Sequence, residues 1–178
     1  MPMNLLPPVP TWDGLHPLVI HFPIALFLVA PLFIVAGLMA PRQARSCFTA
    51  AVSLMGLGVV AAWVAVASGH AAAELVEQEG AVRAVLERHA ELGEMTRNVF
   101  TALTLVFAGF VFVPTRLKRP LSRGVTAGLG LLFLVLYAAG AMLIANTAHQ
   151  GARLVHEFGV HAVMAGEPSD SVAPGPRP

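Results

Sequence analysis

Four long apolar runs dominate the chain, and short polar connectors separate them. The runs cover about residues 17–40, 47–69, 95–113 and 125–147. At about 1.5 Å of rise per residue, the first run is long enough as a helix to cross a hydrocarbon core of roughly 30 Å. The uncharged part of the third run, 99–113, is only about 22 Å long as a helix, which is too short to cross the membrane alone. The span must therefore include residues that precede Val99. The pattern predicts an all-α membrane protein, a bundle of four spans.

Composition supports this prediction. Hydrophobic residues make up 56% of the chain and charged residues only 12%, about half the usual charged share of a soluble domain. The basic residues form no stripe with interleaved aromatics, which argues against nucleic acid as a partner. The single cysteine, Cys47, excludes an internal disulfide and a C-x-x-C-H site for covalent haem. The lipid bilayer is therefore the expected environment.

The polar stretch between the second and third runs covers residues 70–98. Its apolar residues recur at helical spacing among Glu and Arg, with Gly80 as a break. We expect two amphipathic arms that extend these spans as a helical hairpin outside the bilayer. Residues 1–166 form one predicted domain, and the tail 167–178 is rich in Pro, Ser and Gly and is expected to be disordered. No internal repeat is evident.

The connectors 41–46 and 114–124 contain Arg and Lys but no acidic residue. Both are short, which is the condition under which positively charged connectors stay on the cytoplasmic side. The sequence therefore predicts that both termini and the hairpin face the periplasm or its equivalent. The outer side then carries every histidine of the chain: His16, His21, His70, His89, His149, His156 and His161.

A histidine in or near a span is costly unless it is paired, so the cluster is a functional hypothesis. His21 lies about one turn inside the first span and is the strongest candidate. His16 lies five residues earlier, about 140° around an ideal helix, so the two would not share a ligand.

One interpretation is a b-type haem, or two, held between helices by imidazoles from different spans. The favoured pair is His21 with His89, and His70 or His149 is the reserve partner. His16 could serve a second site, orient another ligand, or simply begin the helix. Three arginines near the same interface are candidates to pair with haem propionates: Arg88, Arg97 and Arg153. The function would be electron transfer in a small subunit of a larger redox complex, rather than that of a stand-alone enzyme.

Two alternatives stay open. A Zn or Cu site would draw on His70, Glu74, His89, His149, His156 and Glu157. No H-x-x-x-H or H-E-x-x-H motif supports it. The other alternative is a non-redox structural subunit whose histidines are merely interfacial.

The segment from Leu15 to Pro23, LHPLVIHFP, resembles the LHP-x-x-x-HFP opening of a bacterial family of four-helix membrane proteins, domain of unknown function 2231. His89-Ala90 is similar to the family's motif before the third span, and Gly151 to Val160 is similar to its ending. The resemblance covers about residues 14–162. It implies a multi-pass protein of the bacterial inner membrane. Because members occur with Rieske or c-type cytochrome modules, it also implies a respiratory or photosynthetic redox role, with His16, His21 and His89 as the residues that carry over best.

Overall fold

The computed structural model describes residues 11–76, 80–119 and 121–160. A 3-10 turn, Asp13–Leu15, leads into five helices: α1 His16–Val19, α2 His21–Met39, α3 Ala44–Ala73, α4 Gly80–Arg116 and α5 Arg123–His156. No strand occurs in these ranges. The structure thus confirms the all-α class, and the predicted tail lies outside the described residues.

Four helical segments are long and apolar enough to cross a membrane. The first combines the 3-10 turn, α1 and α2, and the others are α3, α4 and α5. Each packs on the next, and α5 closes the ring against α2. Large apolar side chains cover the outside of this ring; Leu105 is 69% exposed and Val135 is 67% exposed. Such a surface is suited to lipid chains rather than water, so the ring is a four-helix membrane bundle.

The extension beyond the bundle is uneven. Helix α3 ends at Ala73, whereas α4 begins at Gly80 and runs for several turns before its apolar part. Helix α5 continues to His156, beyond the predicted end of the fourth span. Val85 and Leu86 of α4 pack against Leu154 of α5, and the three buried side chains form a small second core. The extension therefore includes a third helix that the predicted hairpin lacks.

Two phenylalanines meet at the centre of the bundle. The rings of Phe27 on α2 and Phe100 on α4 stack with centroids 4.0 Å apart. Each ring lies against a glycine of the following helix: a Cβ on Gly58 would lie 2.6 Å from Phe27, and one on Gly140 would lie 3.3 Å from Phe100. Small residues let membrane helices approach closely. Here they let two aromatic rings reach the axis of the bundle.

The two halves of the chain repeat one another. Buried residues of α2 and α4 correspond at a separation of 73 positions: Phe27 with Phe100, Ala30 with Leu103, and Ile34 with Phe107. Buried residues of α3 and α5 correspond at 82 positions: Phe48 with Gly130, Ala51 with Phe133, Met55 with Tyr137, Gly58 with Gly140, and Ala62 with Ile144. Each half is a helical hairpin, and the two hairpins bury corresponding positions.

A proline inside the first span creates a hydrogen-bond deficit that a neighbouring helix fills. Pro31 has no N–H, so the Phe27 carbonyl lacks its helical donor. The buried Tyr137 hydroxyl of α5 donates to this carbonyl at 2.7 Å. In the second half, Thr104 stands where the repeat has Pro31, and its hydroxyl donates to the Phe100 carbonyl at 2.7 Å. The equivalent carbonyls of Phe27 and Phe100 thus each accept a hydrogen bond from a hydroxyl, which comes from a neighbouring helix in the first half and from the same helix in the second.

Replacing Tyr137 with Phe is expected to lower the free energy of unfolding by about 1 kcal/mol, because the Phe27 carbonyl loses its donor. In a Pro31→Ala background, the backbone N–H at position 31 can again donate to the Phe27 carbonyl. The same Tyr137→Phe change should then lower the free energy of unfolding by less. A double-mutant cycle measured by unfolding in mixed micelles tests the coupling. Equal costs in the two backgrounds would contradict the assignment.

Candidate functional site

The described histidines gather at one end of the bundle. His16 and His21 begin the first span, His70 lies near the end of α3, and His89 lies in the extension of α4. His149 and His156 lie in the last turns of α5, and His161 is outside the described residues. Every ion pair within the described ranges also lies at this end. The opposite end carries the Arg- and Lys-rich connectors.

His16 is anchored to the next helix. Its Nδ1 lies 2.7 Å from the backbone carbonyl oxygen of Ala65 on α3. Gly69 lies one turn further along α3, and a Cβ at that position would lie only 2.8 Å from Cε1 of the imidazole. The missing side chain at Gly69 is therefore what lets the ring lie against α3 and reach the carbonyl.

His89 makes the equivalent contact in the second half. Its Nδ1 lies 2.9 Å from the carbonyl oxygen of Thr147 on α5. Gly151 lies one turn beyond Thr147, and a Cβ there would lie 3.0 Å from Cε1 of His89. The ring, the accepting carbonyl and the glycine thus recur at the separations of 73 and 82 positions that relate the two halves.

These two hydrogen bonds define the tautomer of each ring. A carbonyl oxygen can only accept, so Nδ1 must carry the hydrogen. In a neutral imidazole, Nε2 then holds the lone pair. Neither Nε2 atom has a hydrogen-bond partner among the residues that the structure describes. Both nitrogens are available as ligands.

The two anchored rings lie next to each other. Their centroids are 6.2 Å apart, and their planes are nearly perpendicular, at 87°. Both side chains are partly buried. Two imidazoles that bind one metal from opposite sides, at about 2.0 Å per metal–nitrogen bond, have centroids roughly 6 Å apart. The centroid spacing of His16 and His89 is close to that value.

His21 has a different environment. The first span is interrupted at Ile20, because Pro23 cannot donate to the Val19 carbonyl and its ring crowds that oxygen. His21 follows the interruption, and its side chain is exposed. The structure brings His16, rather than His21, to His89.

The other candidate ligands lie apart from the anchored pair. The Nε2 atom of His70 lies 3.1 Å from Glu94, and both side chains are about half-exposed. His149 and His156 are exposed. Across the described ranges, no three His, Cys, Asp or Glu side chains come together as metal ligands.

The candidate arginines already have partners within the chain. The Arg97 guanidinium lies 4.1 Å from the centre of the Trp63 ring. Arg153 donates to Glu157 at 3.0 Å and to Gln150 at 3.2 Å, and Arg88 donates to Glu91 at 2.6 Å. Their pairing with propionates stays a prediction, and it would require exchange of these contacts.

Substitution of Gly69 by Ala is expected to push the His16 ring away from the Ala65 carbonyl and to lower the free energy of unfolding by about 1–2 kcal/mol. The equivalent Gly151→Ala change should displace His89. Gly56→Ala is the matched control, since a Cβ there meets nothing within 4 Å. Melting temperatures and the ¹⁵N spectrum of the imidazoles report the outcome. Identical behaviour of Gly69→Ala and Gly56→Ala would refute the role of Gly69.

The family described as predicted membrane protein (DUF2231) matches residues 13–164 of the chain. The matched segment contains all four spans and both anchored histidines. No curated protein and no solved structure matches the chain. Because the family match covers far more than half of the sequence, the chain belongs to the DUF2231 family of predicted membrane proteins.

Proposed function

We propose that this protein binds one b-type haem between His16 and His89 and transfers electrons at the outer face of a bacterial inner membrane. The observation that carries the proposal is the adjacent pair of imidazoles, 6.2 Å apart between centroids. Each is fixed through Nδ1 to a backbone carbonyl, and each has Nε2 available. The axial pair in this proposal is His16 with His89, in place of the pair expected from sequence.

The number of ligands favours haem over a bare metal ion. Haem iron receives four nitrogens from the macrocycle, so the protein need supply only two axial ligands. A zinc site takes three or four protein ligands. The described residues bring no third metal-ligating side chain to His16 and His89. Two histidines are thus sufficient for haem and too few for zinc.

The residues around the pair have defined tasks in this proposal. The Ala65 and Thr147 carbonyls hold the imidazoles in one orientation and raise the basicity of Nε2. Gly69 and Gly151 leave room for the rings beside α3 and α5. The haem supplies one-electron redox chemistry. Arg97 and Arg153 are the candidates to receive its propionates at the polar end of the bundle.

The charge distribution supports a periplasmic position for the site. The acid-free connectors between α2 and α3 and between α4 and α5 are rich in Arg and Lys, and such short connectors remain in the cytoplasm. Both termini and the histidine end then face the periplasm. From there, the protein would exchange electrons with periplasmic or membrane redox subunits of a larger assembly.

The purified protein is expected to show a Soret band and a reduced alpha band, with a pyridine haemochrome of haem b. His16→Ala and His89→Ala should each abolish the low-spin spectrum, because each removes one axial ligand. His21→Ala, on the same span but with an exposed side chain, is the matched control and should leave the spectrum unchanged.

Three results would count against the proposal. One is a protein that takes up no haem from haem-replete membranes or on titration with hemin. A second is a spectrum that His21→Ala alters and His16→Ala does not. A third is stoichiometric Cu or Zn by elemental analysis that His16→Ala removes, which would replace haem by a two-histidine metal ion site.

A further inference from the structure

The basic end of the bundle carries six cations in its two connectors. They are Arg42, Arg45, Arg116, Lys118, Arg119 and Arg123, and neither connector contains a carboxylate. All described carboxylates lie at the histidine end, a full span away. Within the described ranges, no ion pair involves these six residues. The described part of the chain thus supplies no anionic group to balance this charge.

Two of these cations line a cavity. A space of about 390 Å³ opens where α3, α4 and α5 meet the basic end, and Arg45 and Lys118 are among its lining residues. The hydroxyl-bearing residues Thr115 and Thr126 line it as well, beside Phe48. The cavity thus combines positive charge with polar and apolar walls.

A second cavity continues the first along the bundle. It has a volume of about 350 Å³ and shares Phe110, Pro114 and Leu121 with the basic cavity. Its remaining walls come from apolar residues of α4 and α5, such as Val106, Gly109, Val113, Leu132 and Leu136. The result is an apolar groove between two membrane helices that ends in a basic pocket. We call the two cavities together the α4–α5 groove.

Helix α4 ends in a conformation that places a lysine where glycine is usual. The Lys118 N–H bonds to the Thr115 carbonyl and the Arg119 N–H to the Pro114 carbonyl, the pattern of a Schellman cap. Lys118 is in the left-handed region, with φ 52°, which is costly for a residue with a Cβ. Glycine would close the same cap without that cost, and the lysine that stands there instead lines the basic cavity.

The two halves of the chain differ at this end of the bundle. Phe48 of α3 packs so closely on α2 that a Cβ on Gly37 would lie 2.5 Å from its ring, and Phe48 also lines the basic cavity. The residue of α5 that corresponds to Phe48 is Gly130, and a Cβ there would lie 2.7 Å from Leu38 of α2. The connector between α4 and α5 is also longer than that between α2 and α3.

We propose that the α4–α5 groove binds one anionic phospholipid, with its phosphate at Arg45 and Lys118 and an acyl chain along α4 and α5. Basic pockets between membrane helices are suited to anionic headgroups, and the apolar continuation lies at the depth of acyl chains. A soluble anion would use the pocket but leave the apolar part of the groove empty. A lipid satisfies both parts.

Native mass spectrometry of the full chain, released from nanodiscs of dioleoylphosphatidylglycerol or dioleoylphosphatidylcholine, tests the proposal. We expect one retained phosphatidylglycerol and no retained phosphatidylcholine. The double change Arg45→Gln and Lys118→Gln should weaken retention about 25-fold, since each cation near an anionic headgroup contributes roughly fivefold. The matched control, Arg42→Gln with Arg119→Gln, removes the same charge from residues outside the groove and should have little effect.

Two further variants separate lipid binding from folding. Lys118→Gly relieves the left-handed strain, so it should raise the melting temperature while it weakens lipid retention about fivefold. Gly109→Leu places a side chain in the apolar part of the groove, where a Cβ meets nothing within 4 Å, and should block the acyl chain. Gly56→Leu, at another open position, is its control.

Each remaining outcome overturns the proposal. If both double variants weakened retention of phosphatidylglycerol equally, the lipid would be held by the overall positive charge of this end and not by a specific pocket. Retention of both lipids alike would show no headgroup selection. Displacement of phosphatidylglycerol by inorganic phosphate at millimolar concentration, together with full binding by Gly109→Leu, would show a simple anion site.

Discussion

The contact on which the arrangement of the bundle depends is an imidazole that donates to a backbone carbonyl of the next helix. His16 makes it to Ala65, and His89 makes it to Thr147. A partly buried polar group needs a hydrogen-bond partner, and each ring is held where a glycine lets it approach the carbonyl. The two hairpins that each satisfy this condition bring their rings to 6.2 Å from each other between centroids. The candidate site is a product of helix packing rather than of a loop.

Length, hydropathy and charge were enough to predict the four spans and the polar end. Which face of the first span turns inward could not be predicted, because lipid tails and the bundle interior are equally apolar. On a helix with no polar face, His16 and His21 are indistinguishable by periodicity. Pro23 adds a further difficulty, since the interruption at Ile20 changes the direction of residues on either side.

A signal for the histidine that lies beside His89 was nevertheless present in the spacing. His16 precedes Phe27 by the same eleven positions that separate His89 from Phe100, and Gly58 precedes Gly69 as Gly140 precedes Gly151. The repeat is hard to see because the connector between α4 and α5 is longer than that between α2 and α3. Corresponding positions are therefore 73 residues apart in α2 and α4 but 82 residues apart in α3 and α5. The residues between these positions have also diverged. Two glycines of the repeat, Gly69 and Gly151, make room for the histidine rings.

The correspondence between the two halves has a consequence for the smallest unit that could build this centre. Each hairpin contributes one anchored histidine, one accepting carbonyl, one glycine beside the ring and one central phenylalanine. A hairpin of half this length, paired with an identical copy of itself, would already juxtapose two imidazoles on a dyad. When the two copies are joined in one polypeptide, their sequences can diverge. In one half, Pro31 removes a backbone N–H and the Tyr137 hydroxyl donates to the Phe27 carbonyl; in the other, the Thr104 hydroxyl donates to the Phe100 carbonyl.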